Sequence, residues 1–122
     1  MELWDVLDEY HLLVPVWIKN NQGEFLITKR APNKAIFPNM WETTVGAVMA
    51  GEDSFQAALR EIKEEIGINL TPGHGNRRLK IRNYDFQAFI EVWLFQEEVD
   101  ITNVIYQPEE VCDASGSSDR WL

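Results

Sequence analysis

An α/β fold, a mixed sheet with a helix packed on it, is what three stretches of this sequence predict. Residues 12–30 hold two apolar, β-branched runs around a turn. Residues 53–67 carry a helical period between two capping signals, and residues 77–101 return to strand-like patterning. The order strands, helix, strands leaves the topology itself open.

The first run, LLVPVWIK (12–19), is followed by the turn-like NNQGE, and FLITKR (25–30) resumes the pattern, so a β-hairpin is expected. Pro15 has no amide donor, which predicts that the first strand lies at an edge there or carries a bulge. APNKAIFPNM (31–40), with two prolines and two asparagines, reads as a loop leading to Trp41. TTVGAVMAGE then precedes the clearest helix of the chain. Asp53 or Ser54 supplies its N-cap and Gly67 its stop. Phe55, Leu59, Ile62 and Ile66 recur at three- and four-residue steps and make one apolar face. Glu61, Glu64 and Glu65 stand at i, i+3 and i+4 on another flank. Carboxylates crowded in this way destabilise a helix unless a cation relieves them.

TPGHGN (71–76) reads as a second loop, and RRLKIRNYDFQAFIEVWLFQEEVDI (77–101) is long enough for two strands turning at NYD. The closing SGSSDRWL (115–122) has neither strand nor helix patterning in its Ser-Gly-Ser-Ser. His11 and His74 read as surface and loop residues. Cys112, with no histidine near it in sequence, reads as a small buried hydrophobe.

A chain of 122 residues is a single domain by size, spanning 1–122. The net charge of −9, with 20 acidic and 11 basic residues and no basic stripe, excludes a nucleic-acid polymer as the expected partner. One cysteine permits no internal disulfide, the N-terminus lacks the basic start and apolar run of a signal peptide, and the longest apolar stretch is too short for a bilayer. A cytoplasmic protein without membrane contact is expected.

Residues 46–68 read GAVMAGEDSFQAALREIKEEIGI, which places Gly46, Glu52, Arg60, Glu61, Glu64, Glu65 and Gly67 in the spacing G-x5-E-x7-R-E-U-x-E-E-x-G-U, U being a bulky aliphatic. This resembles the signature of Nudix hydrolases. The resemblance implies an α/β/α sandwich and Mg²⁺-dependent cleavage of a diphosphate bond in a nucleoside diphosphate derivative or similar small pyrophosphate, with Mn²⁺ as an alternative metal. Such a substrate is already anionic, so water meets repulsion and the leaving phosphate needs its charge neutralised. A hard cation held by carboxylates answers both needs.

By resemblance, Glu61, Glu64 and Glu65 are the metal ligands, joined by the backbone carbonyl of Val45. Arg60 and Glu52 form an ion pair that ties loop to helix, with a pair between Arg60 and Glu64 on the helix surface as the lesser alternative. The base is Glu61 of the box or, in the loop QPEEVCDA, Glu109 or Glu110. Trp41 either stacks on a substrate ring or packs in the core. Lys29 and Arg30, at the end of the second strand, either meet phosphate or face solvent.

The stretch KRAPNKAIFPNMWETTVGAVMAGED and the opening ELWDVLDE are similar to the Nudix branch that includes isopentenyl diphosphate isomerases. Those enzymes use a cysteine where this chain has Val45, which favours hydrolysis over isomerisation. A non-catalytic nucleotide-binding module would have lost box glutamates, and none is lost. The resemblance covers about residues 12–114, and the chain looks shortened at both ends, with the C-terminal helix missing. A weakened core completed by a homodimer or strand exchange is therefore expected.

Overall fold

The computed structural model describes residues 11–35, 38–83, 88–107 and 110–118. Its centre is β1 (His11–Lys19), in a seven-stranded mixed sheet with β2 (Glu24–Arg30), β3 (Trp41–Glu42), β4 (Thr44–Ala47), β5 (Gly75–Asn83), β6 (Ala88–Gln96) and β7 (Val111–Ser118). The single α-helix among the described residues is α1 (Ser54–Ile66). β6 runs parallel to β1 on one side, with β5 antiparallel beyond it. The other edge of β1 is shared: β4 pairs antiparallel with Leu13 through Val16, whereas β2 meets β1 only at Lys19, opposite Phe25. The sheet forks at that point, and β2 continues outward between β3 and β7.

The turn of the expected hairpin is present. The Asn20 side chain accepts from the backbone N–H groups of Gln22 and Glu24 at 3.0 and 2.9 Å, and Gly23 takes the left-handed conformation at φ +80. The hairpin itself shrinks to one register pair because β4 occupies the rest of that edge.

Pro15 lies in the central strand, which corrects the expected edge or bulge. The Val48 N–H donates to the Leu12 carbonyl at 3.0 Å, so strand alternation turns the Pro15 nitrogen toward β6. Leu13 stands opposite Ile90 and Val16 opposite Trp93, so the register runs straight past the proline. The two ladder positions that need its missing donor, at Val14 and Pro15, are the ones not paired with β6. Pairing on either side of the gap, and β4 on the opposite edge, hold the strand in place.

Ser115 to Ser118 also differ from expectation. They continue β7 and pair along β2 from Ile27 to Glu24. Backbone pairing with a well-formed partner overrides the poor strand preference of glycine and serine. Earlier in β7, Lys29 pairs with Asp113 but Arg30 with Val111, so Cys112 is the extra residue of a β-bulge. The bulge lets Val111 and Ala114 both face inward and leaves Cys112 exposed rather than buried.

The helix follows its sequence signals. Asp53 accepts from the Gln56 N–H, the Gln56 side chain accepts from the Asp53 N–H, and Gly67 closes the helix at φ +70. Ala57, Ala58, Ile62 and Ile66 are fully buried with Val14, Val16 and Phe95, while Phe55 and Leu59 pack at the margin of this core. The Trp93 indole donates to Ser54 Oγ at 2.9 Å and its ring lies 5.1 Å from that of Phe55. At the far end of α1, the N–H groups of Ile105 and Gln107 donate to the carbonyls of Ile66 and Glu65 at 2.9 and 2.8 Å. A returning loop thus satisfies the last turn of the helix and delivers Glu110 to its flank. The NYD turn falls mostly outside the described residues.

Candidate active site

Arg60 organises the box. Its Nη2 donates to Glu52 Oε1 at 2.6 Å, and its Nε reaches the two carboxylate oxygens of Glu52 at 3.2 and 3.1 Å. Glu52 also accepts from the Met49 N–H at 2.9 Å, so the loop before α1 is laced to the helix. The Arg60 guanidinium holds the Glu52 carboxyl below its ordinary pKa, and Arg60 itself is raised by the same bond. Both readings of Arg60 hold, because its Nη1 also reaches Glu61 at 2.8 Å and Glu64 at 3.2 Å.

Gly46 makes room for the cluster. A Cβ there would lie 2.2 Å from Glu61 Cγ, so the absent side chain is what lets Glu61 lie across β4. Alternation in β4 gives β1 the backbone groups of Thr44 and Gly46 and turns those of Val45 and Ala47 to the opposite edge. There the Ala47 carbonyl accepts from Arg60 Nη2 at 2.9 Å. By the same alternation the Val45 carbonyl shares that edge.

The carboxylates of α1 do not stand alone. Burial pushes the Glu65 carboxyl up to about 8, and the charges of Glu61, Glu110 and Glu42 reinforce the shift. Glu61 is raised by burial against the pull of Arg60, and Glu42 by burial against Arg30 and Lys34. Glu42 pairs with Arg30 Nη1 at 3.3 Å, and Lys34 Nζ forms an ion pair with Glu110. These four glutamates therefore share one region with three cations, Arg30, Lys34 and Arg60.

A stability consequence follows from Glu65. Its folded pKa near 8 lies above the ordinary 4.5, so between these values the folded chain keeps a proton that the unfolded chain releases. The associated stability is fully present below pH 4.5 and is lost as pH rises through 8. The Tm of the metal-free protein is expected to fall from pH 5 to pH 8.5 by scanning fluorimetry, and Glu65→Gln to flatten that slope. Identical slopes for the two proteins would refute the attribution.

The donor chemistry fits a hard divalent cation: oxygen ligands, crowded like charges and a glycine cradle. In this arrangement no three of the described His, Cys, Asp and Glu side chains form a ready metal cage. Arg60 gives the reason, since it draws Glu61 and Glu64 toward its own Nη1.

The expected substrate residues divide. Glu42 stands opposite Thr28 and Trp41 opposite Lys29, so alternation puts Trp41 and Lys29 on the other face from Glu42 and Arg30. Trp41 is 42% exposed, which rules out core packing, and Arg30 is buried against Glu42 rather than facing solvent. Glu110 joins the cluster, whereas Glu109 lies outside the described residues. Glu42 and Lys34 carry no sequence signal, because only the tertiary fold brings them beside the box. No helix among the described residues is long and apolar enough to cross a membrane.

A NUDIX domain model matches residues 9–122. The chain is 37% identical over 134 residues to an uncharacterised Nudix hydrolase of Listeria innocua, covering 93% of this chain and 78% of that protein. An isopentenyl-diphosphate Delta-isomerase of Escherichia coli is 35% identical over 63 residues, 51% of this chain and 35% of the isomerase. A crystal structure of a Deinococcus radiodurans protein shares the fold with a TM-score of 0.74 at 23% identity, over 97% of this chain and 74% of that one. The intact box on a capped helix, the mixed sheet beneath it and the match across the chain agree: this protein belongs to the Nudix family and is a hydrolase of the pyrophosphatase type.

Proposed function

We propose that the protein is a Mg²⁺-dependent diphosphohydrolase acting on a small nucleoside diphosphate derivative or similar pyrophosphate. The observation that carries this reading is the meeting of Glu61 and Glu65 of α1 with Glu42 and Glu110 from outside the helix, close enough to raise one another's affinity for positive charge. Glu61, Glu64, Glu65 and the Val45 carbonyl would hold the cation. When bound, Mg²⁺ or Mn²⁺ neutralises the diphosphate and activates a water for in-line attack.

The protein's own groups do the rest. Arg60 and Glu52 fix the loop before α1, and Gly46 lets Glu61 approach β4. Glu110 is the base. It comes from the loop rather than the helix, and it is not among the carboxylates that Arg60 holds. It takes the proton of the attacking water as the new P–O bond forms and the bridging P–O bond breaks, releasing a phosphate product.

The test is a screen of nucleoside triphosphates, dinucleoside polyphosphates, ADP-ribose, nucleotide sugars and prenyl diphosphates with Mg²⁺, products being identified by mass. Hydrolysis products that disappear with chelator are expected. Dimethylallyl diphosphate formed from isopentenyl diphosphate, or tight binding without any turnover, would overturn the reading.

A further inference from the structure

A lysine within a group of glutamates is the least expected residue at this site. The Lys34 side chain is only 6% exposed, and its Nζ pairs with Glu110 Oε2 across 76 residues of sequence. Lysine is seldom buried so deeply unless it is paired. The surrounding backbone enforces the meeting. The Lys34 N–H donates to the Ala31 carbonyl at 3.2 Å, and the Ala31 N–H donates to the Glu110 carbonyl at 3.0 Å. The Glu110 N–H donates to the Gln107 carbonyl at 2.9 Å, and the Gln107 N–H to the Glu65 carbonyl at 2.8 Å. Two loops are thus tied to each other and to α1, with the ion pair between them.

Glu110 needs such a tether. Its carboxylate stands where the charges of Glu65, Glu61 and Glu42 are all felt, and repulsion among them favours turning a loop carboxylate out to water. We propose that Lys34 is a positioning residue, whose ammonium, paired with Glu110 Oε2, holds that carboxylate inside the cluster with Oε1 left to take the proton of the attacking water. This rests on the reading of Glu110 as the base. A lysine suits the task because its compact charge can hold one carboxylate oxygen without engaging both, as the arginine fork does.

Lys34→Met, Glu110→Gln, the double variant and Lys34→Arg test the assignment in the full chain. Glu110→Gln is expected to lower kcat by roughly 10²–10⁴-fold, and Lys34→Met by about 10–100-fold, KM being unchanged in both. The double variant should be no slower than Glu110→Gln, and Lys34→Arg should recover part of the loss. A readout independent of turnover is the Tm. Lys34→Met leaves the Glu110 charge partly buried without its partner, so it should lower Tm more than the double variant does.

Wild-type kcat in Glu110→Gln would remove the base assignment itself and this inference with it. Loss of kcat in Glu110→Gln but not in Lys34→Met would overturn the role of Lys34 alone. Additive losses in the double variant, or a rise in KM alone, would place Lys34 on the substrate instead. If Lys34→Met does not fold, the comparison passes to Lys34→Arg, in which wild-type kcat and Tm are not expected and would count against a position specific to lysine.

Discussion

Glu64→Gln is expected to lower kcat by on the order of 10²-fold or more while leaving Tm nearly unchanged. The asymmetry comes from where Glu64 stands. Its side chain is 52% exposed and its ion pair is with Arg60 at 3.2 Å, a guanidinium held more tightly by Glu52 and Glu61. Exposed pairs of this kind contribute little, and a surface amide in place of the acid changes stability by about 0.5 kcal/mol or less. The same substitution removes one of three negative charges expected to hold the cation. Groups that merely support metal ligands cost 10–100-fold when removed, so a ligand should cost at least as much. The measurement is kcat against Mg²⁺ concentration, carried to saturation, with a parallel thermal melt. Turnover unchanged at saturating Mg²⁺ would sink the assignment of Glu64.

Gly46→Ala is expected to damage stability and activity together. The added methyl would stand 2.2 Å from Glu61 Cγ and 3.0 Å from its Cβ, and the second of these atoms is fixed by the helix backbone. Either β4 and α1 move apart or Glu61 is driven from its place. Overpacking of this sort costs about 1–3 kcal/mol. The expected result is a lower Tm and at least a tenfold lower kcat, in keeping with the loss of a supporting group. Gly46→Ala combined with Glu61→Ala separates the two effects, because shortening Glu61 removes the closest clash. The double variant should regain most of the Tm and none of the activity. A Gly46→Ala protein with wild-type Tm and kcat would show that the close approach of Glu61 to β4 is not required.

The features legible in the sequence are those decided within a few residues. Asp53, Gln56 and Gly67 mark the helix ends by local hydrogen bonds and a left-handed turn, and the box spacing puts Glu61, Glu64 and Glu65 on one flank wherever the helix is placed. Features set by distant partners were not legible. Pro15 has no donor in any context, yet its consequence depends on which strand lies beside it, and here the neighbours on both edges keep the strand central. Ser115 to Ser118 form a strand because β2 offers a ladder, and Cys112 is exposed because the register slips beside Arg30. Glu42 and Lys34 belong to the site through contacts with residues far along the chain, which no local pattern announces.

The forked sheet has a consequence for how such a protein can change. One limb, formed by β1, β4, β6 and α1, carries the box; the other, formed by β2, β3 and β7 with their loops, carries Arg30, Lys34, Glu42 and Glu110. The limbs are joined in the ladder by the single pair Lys19 and Phe25, and elsewhere by loop contacts, by Val111 and Leu26 packing into the core around α1, and by Trp17 against Phe25. Substitutions that tilt the outer limb would move Lys34 and Glu110 relative to α1, because the hydrogen bonds from Gln107 to Glu65 and from Glu110 to Gln107 run between them. The proposed base thus depends on how the two limbs meet, and chimeras exchanging the outer limb between relatives should lose turnover wherever the ties from Gln107 and Glu110 to α1 are not kept.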